Sequence, residues 1–125
     1  MNETNTPELN PKNMEIWWAD LPGGPPGSHI MAKKRPVLIC SNDKGNRHAP
    51  ILSVIPLSTK TRKVLPTHVL LKGIPGLRPS LALCEQLMCI DKKAILGQRI
   101  AYISDTDIRT KIHHAIAVQF AMITN

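Results

Sequence analysis

The sequence predicts a mainly β protein with one C-terminal α-helix, a small and strongly bent sheet or barrel plugged by that helix. Three observations carry the prediction. Five or six short apolar segments follow one another, each bounded by Pro, Gly, Asn or Asp clusters. After residue 104 the apolar period changes from strand-like to helical. No internal repeat or linker divides the 125 residues, a length that one domain with a real core accommodates.

Taken in order, residues 1–13 are polar and read as a disordered tail, leaving a single domain over 14–125. Residues 14–21, MEIWWADL, have strand content and stop at PGGPPG, which cannot continue a ladder. Residues 21–35 then form a long Gly/Pro-rich loop. PVLICSN is a short buried strand ending in a turn cluster at residues 42–46, and ILSVIPLST (51–59) is its antiparallel partner. THVLL (67–71) is next. SLALCEQLMCID (80–91) reads as a strand bent near Glu85, and QRIAYIS (98–104) as the last strand. Ile108, Ile112, Ala115, Ile116, Gln119, Phe120 and Ile123 form one face of the helix, with Ser104 and Asp107 as its capping box.

The net charge of +7 is concentrated. Residues 31–72 hold nine Lys or Arg against the single acid Asp43. A patch of this kind suits an anionic partner, nucleic acid first. No apolar run approaches the ~20 residues of a membrane span, so no membrane is expected. The odd set Cys40, Cys84 and Cys89 on apolar segments indicates buried, reduced thiols and a cytoplasmic location. No zinc spacing, phosphate-binding loop or nucleophile elbow is present, so neither a metal nor a cofactor is expected.

What chemistry there is lies in the basic loop and the strand opposite. Pro36 fixes the chain beside Arg35, whose planar, permanent charge suits a phosphate and the charge that builds on it during transfer. Ser58 and Thr59 end the neighbouring strand with hydroxyls, and His29 sits in the loop above. The alternative is that these three features are an unrelated surface Arg, strand-end hydroxyl and loop His.

IWWADLPGGPPGS, KKRPVLICSND, APILSVIPLSTK, LPTHVLL and ALCEQLMCIDK occur in the order and near the spacing of the MazF/PemK toxin family, which the chain resembles over about residues 14–123. The resemblance implies an SH3-like barrel of the MazF/CcdB/Kid type. It implies a homodimer in a type II toxin–antitoxin system, a sequence-selective, metal-independent endoribonuclease that cuts single-stranded RNA to 2′,3′-cyclic phosphate and 5′-hydroxyl ends. Its partners would be the RNA substrate and an acidic antitoxin protein of the MazE kind, in a complex that binds DNA. The family arginine of the RP pair falls on Arg35. The family threonine falls on Ser58, with Thr59 as the alternative hydroxyl. His29 stands where many members have glutamate, and the EQ block lacks its arginine. Lys33, Lys34, Asn42, His68 and Gln86 are the expected RNA contacts. The same fold also carries a gyrase-poisoning toxin, and an RNA-binding barrel with lost activity is a third reading.

Overall fold

The computed structural model describes residues 9–60 and 62–124. Seven strands and two helices follow in order: β1 (Glu15–Pro22), β2 (Ala32–Ile39), α1 (Asp43–His48), β3 (Ile51–Ser58), β4 (His68–Leu71), β5 (Ser80–Leu83), β6 (Met88–Asp91), β7 (Ile95–Tyr102) and α2 (Thr106–Gln119). The strands form one antiparallel sheet in the order β4-β5-β3-β2-β1-β7, with β6 also paired to β3. β3 makes this possible by changing neighbours. Residues 54–56 pair with β2, residues 51–54 with β6, and Leu57 and Ser58 with β5. The mainly β fold with one long C-terminal helix is as expected, although the sheet is bent rather than closed, its path running from β4 to β7.

Both faces of this sheet are buried, which is why the strands read as continuous apolar runs rather than strict alternation. Along β2, Leu38 enters one apolar cluster with Ile16, Ile55, Leu57, Ile112 and Ala115. Val37 and Ile39 enter the other, with Trp17, Leu52, Val54, Leu83 and Ile90. Helix α2 covers the first cluster through Ile112 and Ala115, with Ile108 and Ile116 partly buried beside them. Phe120 caps the helix and is 55% exposed, and Ile123 lies beyond it, so the expected apolar face ends one turn early. The N-cap is Asp105, accepting from the backbone of Asp107 and Ile108, not Ser104. An aspartate serves both capping and the helix dipole.

Other boundaries move for local reasons. β2 begins at Ala32, so Lys33, Lys34 and Arg35 belong to a strand paired with Leu21, Asp20 and Ala19, not to the loop. The turn cluster is helix α1, because Asn42 caps it by accepting from Gly45 N at 2.8 Å. The bend near Glu85 is a 3-10 turn over Cys84–Gln86 between β5 and β6, and β7 starts earlier than expected, at Ile95. Residues 1–8 of the expected tail lie outside the described residues. Residues 12 and 13 are tied to the domain, with Lys12 N donating to Glu15 Oε1 at 2.7 Å and Asn13 N to Asp43 Oδ1 at 2.7 Å. Cys84 is buried and Cys40 half-buried, whereas Cys89 is exposed, since β6 turns Ile90 inward. Among the described residues no helix is long and apolar enough to cross a membrane.

Candidate active site

Arg35 sits on β2 beside Pro36, which pairs with Trp18 of β1. Its Nε donates to Ala32 O at 3.2 Å, folding the side chain along its own strand. Among the described residues the Arg/Lys–carboxylate pair is Arg99–Glu15, and Arg35 has no carboxylate partner there. Lys33 takes a left-handed φ of 68° within a ladder whose pairing to β1 stays in register. Lys34 and Arg35 both line one cleft of about 370 Å³.

Across that cleft stand Thr59, Arg78 and Trp18. Arg78 comes from the segment joining β4 to β5, which is held in place at Gly76. There φ is +85°, and a Cβ would lie 2.6 Å from Ile100 O, so only glycine lets the segment approach β7 this closely. Thr59 and Ser80 also line an adjoining cleft of about 240 Å³ with Ser58 and Arg62. The two clefts share Thr59 and Ser80 and make one groove carrying Lys34, Arg35, Lys60, Arg62 and Arg78 with three hydroxyl residues, Ser58, Thr59 and Ser80.

Ser58 is only 2% exposed. Its Oγ accepts from Arg62 Nη2 at 3.0 Å and from Lys60 N at 3.2 Å, so its one proton is left to donate. Thr59, not Ser58, shares the Arg35 cleft, while Ser58 lies at the wall of the next. His29 is exposed and lines neither cleft, and its backbone O accepts from Gln86 Nε2 at 3.1 Å.

Three of the expected RNA contacts make hydrogen bonds within the protein. Gln86 spends its amide on the loop, accepting from Met31 N at 2.8 Å besides donating to His29 O. Asn42 caps α1. The His68 side chain is 2% exposed, with Leu65 N donating to its Nδ1 at 3.1 Å. Its Nε2 is thus the nitrogen that donates, to Glu85 Oε2 at 2.8 Å, and Thr67 Oγ1 donates to Glu85 Oε1 at 3.3 Å. An enclosed, doubly bonded imidazole is a strut between β4 and the 3-10 turn. Lys33 and Lys34 remain exposed. The larger cleft of about 410 Å³, between β4 and α2, contains none of the candidates except His68.

Sequence reasoning missed Trp18, Arg62 and Arg78. Trp18 was legible, since two adjacent tryptophans on a strand point opposite ways. Arg62 and Arg78 lie on connections whose course no periodicity reveals.

A bent β sheet with a C-terminal helix carries a groove of cations and hydroxyls, a combination that suits an anionic ligand. Residues 12–120 match the family of PemK-like, MazF-like toxins of type II toxin–antitoxin systems, and the chain belongs to that family. It is 33% identical over 115 residues to the endoribonuclease EndoA of Bacillus subtilis, covering 90% of this chain and 96% of that one. Among solved structures, the Mycobacterium tuberculosis toxin MazF-mt6 superposes with a TM-score of 0.69 at 27% identity, covering 86% of this chain and 96% of the other. A mycobacterial endoribonuclease in complex with its cognate antitoxin gives a TM-score of 0.73 at 23% identity, covering 92% and 99%, and supports the fold.

Proposed function

We propose that this chain is a toxin that acts as an endoribonuclease on single-stranded RNA in the cytoplasm, as a homodimer, and is neutralised by an acidic antitoxin. The observation that carries this is the groove that unites Arg35, which has no carboxylate partner among the described residues, with Arg78 and the Ser58/Thr59 hydroxyls. Family membership and the endoribonuclease relative support it. The reaction is a transesterification. The ribose 2′-oxygen attacks phosphorus and gives up its proton, a new O–P bond closes the 2′,3′-cyclic phosphate, and the P–O5′ bond breaks as that oxygen takes a proton. No water is consumed and no metal is required. Negative charge accumulates on the non-bridging oxygens, where the fixed guanidinium of Arg35 and a hydroxyl donor meet it without reorganisation. His29, outside the groove, orders the loop. The same basic groove suits an acidic antitoxin segment, so RNA and antitoxin compete.

Incubating the purified protein with a long single-stranded RNA in excess EDTA tests the reading. Discrete fragments ending in 2′,3′-cyclic phosphate and 5′-hydroxyl are expected. Intact RNA, or cleavage abolished by the chelator, contradicts it. The gyrase-poison reading gives no cleavage and has no use for the pairing of Arg35 with hydroxyls.

A further inference from the structure

Trp17 and Trp18 are consecutive on β1, with register irregularities against β7 on either side of Trp17. Trp17 is 7% exposed and satisfies its indole N–H by donating to Glu15 Oε1 at 3.0 Å. Trp18 is 46% exposed and lines the Arg35 cleft. Around it are Pro36, directly opposite on β2, and Leu77 and Ile100, which make that part of the cleft apolar, while Lys34, Arg35 and Arg78 bring positive charge. A flat aromatic surface beside fixed cations matches one chemical unit, a nucleobase on its phosphate. Resting on the ribonuclease reading above, we infer that Trp18 is a stacking platform for one unpaired base of the RNA, next to the phosphate held by Arg35.

The volume agrees. A cleft of about 370 Å³ is at the small end of ligand sites, which run roughly 300–1,000 Å³, and takes a single nucleotide. Stacking on an indole face also requires a base splayed out of its own stack, which single strands offer and the interior of a duplex does not. Selectivity for single-stranded RNA then resides partly in Trp18, and larger purine faces bind it better than pyrimidines.

The test uses a single-stranded RNA carrying 2′-O-methyl groups, which binds but cannot be cut. Trp18→Ala is expected to weaken its binding roughly 5- to 150-fold, the usual cost of a lost base–aromatic stack, with the circular dichroism spectrum unchanged. Trp18→Phe retains most of the affinity. Replacing successive nucleotides by abasic ones should yield one position at which wild type and Trp18→Ala bind equally. RNA should also quench the tryptophan fluorescence of the wild type and not that of Trp18→Phe, in which only buried Trp17 emits. Wild-type binding by Trp18→Ala overturns the subsite, as does quenching that persists in Trp18→Phe. So does Trp18 emission that follows protein dilution and ignores RNA, which would make it a subunit contact. If the wild type cuts RNA while these arms fail, only the subsite falls. If the wild type neither binds nor cuts RNA, the functional reading falls with it.

Discussion

At the scale of single residues, the site depends on which neighbouring side chain reaches the groove. Arg35 was legible because a proline fixed the chain beside it, and the structure adds the Ala32 carbonyl that orients its Nε. Alternation could not choose between Ser58 and Thr59, because β3 ends at Ser58 and the period ends with it. Arg62, which bonds Ser58, is four residues on in an irregular connection, beyond any pattern. His29 is a residue type suited to proton transfer on a backbone that holds it outside the two clefts. His29→Ala should therefore retain most cleavage and leave the pH–rate profile unchanged in shape. Loss of a rising limb in the variant would instead make His29 the base.

Among elements, the 3-10 turn Cys84–Gln86 is the hub. Its Glu85 takes His68 and Thr67 from the start of β4, and its Gln86 takes His29 and Met31 from the loop before β2. The sequence showed a bend at this place but gave no sign of what the bend holds, because these partners are 17 to 57 residues away in the chain. Met31 adjoins Ala32, whose carbonyl orients Arg35, so Gln86 positions the arginine at second hand. Gln86→Ala removes both bonds, each worth about 1 kcal/mol. Gln86→Glu keeps the acceptor for Met31 N and loses only the donor. Hydrogen exchange at the Met31 amide should accelerate in the Ala variant and remain slow in the Glu variant, with kcat falling in the same order. An unchanged Met31 amide in Gln86→Ala would mean that the glutamine acts on RNA alone.

For the molecule as a whole, the two-sided core explains what was readable. Continuous runs such as PVLIC and ILSVIPL announced strands buried on both faces, and the late change of period announced α2. That the sheet bends without closing was not readable, because it depends on how β3 pairs with β2 on one edge and with β6 and then β5 on the other. Two thiols lie in that core, and burial pushes both Cys40 and Cys84 up to about 12 from an ordinary 9.0. An unfolded chain would lose these protons first as pH rises. Their contribution to stability is thus complete below pH 9.0 and is lost progressively as pH climbs towards about 12. Urea midpoints at a mildly alkaline and a strongly alkaline pH should fall less steeply for Cys84→Ala than for wild type. Equal pH-dependent losses would show that the thiols do not contribute.

The whole account rests on Arg35 acting on the phosphorus rather than merely attracting RNA. Single-turnover cleavage of a saturating single-stranded RNA by wild type, Arg35→Ala and Arg35→Lys separates the two. The expected result is a rate on the order of 10²-fold lower or more for Arg35→Ala, with little recovery in Arg35→Lys because a lysine lacks the planar fork, while both variants still fold and bind RNA. Cleavage by Arg35→Ala at near the wild-type rate once RNA is saturating would contradict it.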